Sequence, residues 1–246
     1  VAPIEPALVR DVDLLCLDAG NCVIFFDHAR LARLGTAAGF TLDAATLVRT
    51  EGEAKLAHER GEMQGVAWSA RHLPGARGWG DMMATMLHLA GVPLEALPRF
   101  LTTLWEEHVA MNTYSVVPVG FAPAMERVRA AGVKVAIVSN SEGMLEKLFA
   151  DLGILRHFDL VVDSGVVGVT KPDPRIFQIA LDHFAIDADR ALMLGDTFAT
   201  DIAGARAAGM RAALVDPFGH MEGRHRDVMR VPGVVEVAEA IAGARG

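Results

Sequence analysis

Five short apolar runs limit what this 246-residue chain can fold into. They cover residues 14–17, 133–138, 160–162, 191–194 and 212–215. Each is too short for a helix and shows no polar alternation, which is the pattern of a strand buried on both faces. Helical patterns at 121–131, 142–152, 174–184 and 199–208 separate the later runs. Gly132, Gly153 and Gly209 stand where helix C-caps belong. Alternation of this kind predicts an α/β fold, a Rossmann-like parallel sheet with helices on both faces. A small apolar helix is expected over 233–246.

The first strand breaks the alternation. Between residues 27 and 113 there are helical patterns at 28–38, 43–60, 79–90 and 94–111, and no strand is expected. Asp43 and Asp81 are the expected N-caps. The Gly-rich segment 61–80 reads as a loop or a short helix. The expected division is therefore an α/β core from 1–28 and 114–246, with an inserted helical domain over 29–113.

Charge narrows the partners. With 23 Lys+Arg against 31 Asp+Glu, the net charge is −8. That excludes the basic face a nucleic-acid binder needs, and it disfavours an anionic membrane surface. No apolar run approaches the ~18 residues that span a bilayer. Residues 1–13 carry Glu5, Asp11 and Asp13 and hold no apolar signal core. Cys16 and Cys22 both lie in or beside an apolar run, which suits a reduced, cytoplasmic setting. A monomer or a homodimer fits such a chain.

Ligands of open parallel sheets sit at the carboxyl ends of the strands. The first run ends in Asp18-Ala19-Gly20-Asn21 and the second in Ser139-Asn140. The fourth ends in Gly195-Asp196, with Asp201 five residues later. After the third, a Gly-rich stretch leads to Lys171-Pro172-Asp173-Pro174. Taken singly, these have plain readings: an Asx turn, a helix N-cap, helix-capping acids and a surface lysine. Taken together, they bring carboxylates, a hydroxyl and an ammonium to one sheet edge. Hard carboxylate oxygens suit Mg²⁺, and the hydroxyl and ammonium suit a phosphoryl group.

These residues resemble the haloacid dehalogenase superfamily. The matching stretches are Val138-Ser139-Asn140, Lys171-Pro172-Asp173-Pro174-Arg175-Ile176-Phe177 and Gly195-Asp196-Thr197 with Asp201-Ile202-Ala203-Gly204-Ala205. The resemblance covers residues 11–30 and 114–246, and the helical insert matches a C1-type cap in position. It implies a nucleophilic Asp18, which forms an aspartyl-phosphate. It also implies Mg²⁺ held by Asp18, the Gly20 carbonyl, Asp196 and Asp201, with Ser139 and Lys171 on the phosphoryl oxygens. Asn21, Asn140 and Arg60 are the expected substrate contacts. Arg60 lies in His58-Glu59-Arg60-Gly61-Glu62, a stretch similar to one in sugar-phosphate phosphatases of the group.

One position departs from the pattern. Most phosphatases of the family carry an acid two residues after the nucleophile, and here that residue is Gly20. A subgroup with Asp-x-Gly-Asn resembles glucose-1-phosphatases. Three replacements stay open: Asp27 or His28 from the segment after the first strand, His58 or Glu59 from the insert, or a leaving group that needs no acid. Asp27 reads foremost as a helix N-cap, and His28 and His58 as solvated helix residues. Arg49 lies in the part of the insert where family dehalogenases bind halide. The expected activity is a Mg²⁺-dependent phosphatase of a small phosphorylated metabolite. Two alternatives are a metal-independent 2-haloacid dehalogenase and a binding protein without turnover. Family dehalogenases differ here in two places: they carry an aromatic residue where Gly20 stands, and a Ser-Ser-Asn-x-x-Asp pattern after strand four.

Overall fold

The structure is a computed structural model that describes residues 4–73 and 75–245. The readings made on Val1–Pro3, Pro74 and Gly246 lie outside the described residues. Backbone contacts divide the chain into two compact units, Val1–Phe25 with Val116–Gly246 and Phe26–Ser115.

The first unit is an α/β sandwich. Its strands are β1 (Leu14–Leu17), β4 (Lys134–Ser139), β5 (Leu160–Asp163), β6 (Ala191–Gly195), β7 (Arg211–Val215) and β8 (Arg230–Val231). β2 (Phe25–Phe26) and β3 (Tyr114–Val116) form a separate two-stranded sheet where the chain passes between the units. The main sheet runs β5-β4-β1-β6-β7-β8, with every pair parallel. Each of the five expected strands is present. β8 and the β2–β3 pair were not foreseen, because runs of two or three residues carry no readable period. Leu14 to Leu17 have no exposed surface, as a central strand covered on both faces requires.

The strand order places the site. From β1 the sheet grows through β4 and β5 on one side and through β6 and β7 on the other. The carboxyl end of β1 is thus the switch point, where the loops diverge and leave a crevice. Leu17 pairs with Ile137 of β4 and with Leu194 of β6, so Asp18, Ser139 and Asp196 all fall just past the same edge.

The helices of this unit follow from apolar spacing and caps. Pro174–Phe184 starts with Pro at N1 and with Asp173 accepting from Arg175 N at 2.9 Å. It buries Ile176, Phe177, Ala180 and Leu181. Gly132, Gly153 and Gly209 follow their helices with φ of 82°, 71° and 82°, as expected of C-caps. The expected 142–152 helix is shorter, Leu145–Asp151. Its first turn is missing because the Asp163 carboxylate takes hydrogen bonds from Ser141 Oγ, Gly143 N and Leu145 N. The expected 199–208 helix begins instead as a π-helix over Phe198–Ile202.

The second unit is helical: His28–Ala37, Ala44–Glu59, Ala76–Leu89 and Leu97–Ala110. Asp43 caps the second of these, accepting from Thr46 N at 2.9 Å. Asp81 is not a cap. The third helix starts five residues before it, and its carboxylate faces Arg71 at 3.1 Å. Arg30 closes the fourth helix by donating to the carbonyls of Met111 at 2.6 Å and Glu107 at 3.0 Å. Leu47, Met83, Met86, Leu87, Phe100 and Leu101 form the core of this unit. No helix among the described residues is long and apolar enough to cross a membrane.

Candidate active site

Asp18 leaves β1 with its amide bonded to the Leu194 carbonyl at 2.8 Å, which seats the residue against β6. The residue is 8% exposed. Asn21 then adopts a left-handed φ of 54° and donates its amide to Ile24 O at 2.7 Å. An Asn tolerates that conformation where most residues do not. The turn brings the chain back over the site, and Cys22 places its Sγ 3.4 Å from the Leu194 carbonyl.

Ser139 and Lys171 converge on one oxygen of Asp18. Ser139 Oγ donates to Asp18 Oδ1 at 2.9 Å, and Lys171 Nζ stands 2.5 Å from the same atom. Lys171 Nζ also lies 2.6 Å from Asp201 Oδ1, so a single ammonium bridges two carboxylates. Burial alone would lower the Lys171 pKa. Asp18 and Asp201 outweigh it and hold the ammonium above the ordinary lysine range. Lys171 is therefore a permanent cation with only 4% of its surface exposed, not a surface lysine.

Asp196 and Asp201 come from the segment after β6. Thr197 joins them: its amide donates to Asp201 Oδ2 at 2.9 Å and its hydroxyl to Asp196 Oδ1 at 3.2 Å. The π-helical turn then swings Asp201 back under β6. A Cβ at Gly195 would overlap Cβ, Cγ and Oδ2 of Asp201, so only glycine leaves room for that carboxylate. Burial first, then Asp18 and Asp196, pushes the Asp201 carboxyl up to about 7, with Lys171 pulling the other way. Oxygens of Asp18, Asp196 and Asp201 lie within 4.8 Å of one another. Three buried carboxylates against one ammonium leave an excess of negative charge, and hard oxygen donors at this spacing fit a divalent cation such as Mg²⁺.

Most of the other candidate residues have partners of their own. Asn140 is at the same edge, but both ends of its amide hold the Lys171 backbone. Arg60 belongs to the helical unit, where its Nε lies 2.5 Å from Glu62. Arg49 is exposed there and paired with Glu53 at 2.6 Å. Asp27 is the helix N-cap, accepting from Arg30 N at 2.8 Å. His58 is exposed on its helix. His28 is not a solvated helix residue. It is 8% exposed, and its Nε2 sits 2.8 Å from Glu51, which also faces Lys55 at 3.8 Å.

Three residues that build the site had no role of their own in the sequence reading. Asp163 ends β5 and ties down the turn after Ser139, while Gly195 and Thr197 set the two acids of the next strand. Asp163 had a signal: it is a carboxylate at the end of an apolar run, as Asp18 and Asp196 are. Cys16 and Cys22 are free, buried thiols. Burial pushes Cys16 up to about 12. It also raises Cys22, with the nearby carboxylates adding to the effect.

A family model for haloacid dehalogenase-like hydrolases matches residues 24–209. The chain belongs to that family. The chain is 35% identical over 147 residues to the mouse "Haloacid dehalogenase-like hydrolase domain-containing protein 3", covering 59% of this chain and 58% of the mouse protein. It is 42% identical over 89 residues to a phosphoserine phosphatase of Thermus thermophilus, covering 36% of each chain. The chain thus spans little more than half the length of the mouse relative and about a third of the bacterial one. Among solved structures it is similar to YfnB of Bacillus subtilis, described as a putative HAD-hydrolase bound to magnesium. The TM-score is 0.65 at 17% identity, over 94% of this chain and 98% of that one. A likeness at that identity speaks for the fold.

Proposed function

We propose that this hydrolase is a Mg²⁺-dependent phosphatase of a small phosphorylated metabolite, working through an aspartyl-phosphate on Asp18. The observation that carries the reading is the cluster itself: three carboxylates within 4.8 Å, one of them shared by Ser139 and Lys171. An excess of buried negative charge is tolerable only when a cation balances it. The phosphoserine phosphatase among its relatives supports the reaction class, and the magnesium-bound structural neighbour supports the metal.

The bound metal would offset charge on the transferring phosphoryl group and let an anionic nucleophile approach it. Asp18, Asp196 and Asp201 would hold it, with the Gly20 carbonyl beside them. Asp18 attacks phosphorus with its free carboxylate oxygen. The P–O bond to the ester oxygen breaks, and that oxygen leaves as the alcohol or phenol with a proton from solvent. Water then hydrolyses the aspartyl-phosphate to inorganic phosphate and free Asp18. Ser139 and Lys171 would hold the phosphoryl oxygens and keep Asp18 oriented, which is electrostatic preorganisation rather than proton transfer. Gly20 supplies no proton. The helical insert has the sequence position of a C1-type cap, and Arg60 would be a substrate contact. The buried free thiols suit a reducing cytoplasm.

A panel of phosphorylated metabolites, assayed with Mg²⁺ and with EDTA, tests the reading. Release of phosphate that EDTA silences is expected. Asp18→Asn should lower it on the order of 10³-fold or more without changing the melting temperature by more than a few degrees. Chloride release from a 2-haloacid that survives EDTA would establish the dehalogenase instead. Tight phosphometabolite binding without turnover would establish the binding protein.

A further inference from the structure

Asn140 holds Lys171 by both of its backbone polar groups. The Lys171 amide donates to Asn140 Oδ1 at 2.7 Å, and Asn140 Nδ2 donates back to the Lys171 carbonyl at 3.0 Å. A primary amide has one accepting and one donating end at fixed separation. Two such bonds set both the position and the rotation of the residue they grip, where one bond would set only a distance.

Lys171 needs such a grip. It lies in a turn between β5 and the helix Pro174–Phe184, so no ladder or helix pairs its backbone. Buried backbone groups of that kind must find partners elsewhere. Asn140 is itself anchored on both sides. Ser139, just before it, is the last residue of β4 and pairs with Asp163 across the sheet. Just after it, the Ser141 amide donates to Ser164 Oγ at 2.9 Å, and Asp163 takes Ser141 Oγ at 2.7 Å and Gly143 N at 3.0 Å. The turn after β4 and the segment just after β5 meet closely enough that a Cβ on Gly165 would reach within 2.6 Å of the Glu142 carbonyl carbon. The sheet therefore fixes Asn140, and Asn140 fixes the peptide that carries the bridging ammonium.

We propose that Asn140 is the positioning residue for Lys171, acting on the reaction through the lysine and not as a ligand of the substrate. The inference rests on the phosphatase reading, in which the Lys171 ammonium must sit between Asp18 and the phosphoryl oxygens. A lysine stem has four free torsions. A displaced backbone would let the ammonium drift, and misplacement of about 1 Å costs a reaction on the order of 10²-fold.

The test is a double-mutant cycle of Asn140→Ala and Lys171→Ala, assayed with Mg²⁺ on an aryl phosphate ester, with amide hydrogen exchange read on the peptide that holds Lys171. Asn140→Ala alone should lower kcat by about tenfold to a hundredfold with KM almost unchanged, and should speed exchange at Lys171. In the Lys171→Ala background the same substitution should cost nothing further, because the group it acts through is gone. Asn140→Asp keeps the accepting end and should restore protection of the Lys171 amide but only part of kcat. Multiplying losses in the cycle, or a raised KM at unchanged kcat, would overturn the proposal and make Asn140 a substrate ligand. Unchanged exchange in Asn140→Ala would also overturn it. If the wild-type protein turns over no ester, the phosphatase reading fails, and the exchange measurement still judges the clamp.

Discussion

The carboxylate of Asp201 occupies the space that a side chain on Gly195 would fill. A Cβ there would overlap Asp201 Cγ and Oδ2. The last residue of β6 is glycine so that an acid six positions later can fold back beneath it and meet Lys171 at 2.6 Å.

Gly195→Ala should therefore act on metal binding first. The new methyl displaces Asp201, and overpacking of this kind costs about 1–3 kcal/mol. A Mg²⁺ titration of phosphatase activity should shift to higher concentration, and the melting temperature should fall. A titration curve that superimposes on wild type would mean Asp201 is not needed at the metal.

Acid should stabilise the metal-free protein over part of its range. The folded-state value of Asp201, about 7, lies above the unfolded 3.8. Its contribution is thus complete below 3.8 and lost as pH rises through about 7. Asp13 acts in the opposite sense. Arg190 and Arg245 hold its carboxyl below the ordinary range, so its contribution is present above 3.8 and lost as pH falls below it. In EDTA, the melting temperature should be higher near pH 6 than near pH 8, roughly, and should drop again in stronger acid. Saturating Mg²⁺ should remove the fall on the alkaline side. A melting temperature that rises from pH 6 to pH 8 in EDTA would contradict the crowding of carboxylates.

Gly20 predicts a leaving-group effect. Aryl, acyl and anomeric phosphates depart as weaker bases than primary alkoxides and need less protonation. Loss of a general acid costs about 10²–10⁴ in rate for a poor leaving group. kcat/KM should fall steeply along a series of esters of rising leaving-group pKa, and Gly20→Asp should flatten that slope. A flat wild-type series would show an acid already in place, and Asp27, His28, His58 and Glu59 would become the residues to replace.

In the helical unit, Glu51→Ala removes the carboxylate that faces His28 at 2.8 Å and Lys55 at 3.8 Å. Breaking a buried pair in this way costs about 3–5 kcal/mol. All three tryptophans, Trp68, Trp79 and Trp105, cluster in that unit with ring centroids 5.2–5.9 Å apart, so their emission reports it alone. The fluorescence midpoint in urea should move to lower concentration. An unmoved midpoint would place His28 and Lys55 in water in the native state.

The sheet, the three strand ends that meet at the candidate site and the lysine turn before the helix Pro174–Phe184 were legible from sequence. Apolar runs of three to six residues with helices between them permit few arrangements other than a parallel sheet, and such a sheet gathers its loops at one edge. Asp18, Ser139 and Asp196 could be named on that ground, Lys171 joined them as a lysine at a helix start, and their roles came from the family resemblance. The tertiary structure decided what each partner does. Asn140, expected as a substrate contact, hydrogen-bonds the backbone of a residue 31 positions away, which no local pattern shows. Asp81 turned from the expected cap into a partner of Arg71, and His28 from a solvated residue into a buried partner of Glu51. Local pattern reports which face a side chain takes, whereas a hydrogen-bond partner depends on where the backbone of a distant segment lies, and that is settled only when the layers pack.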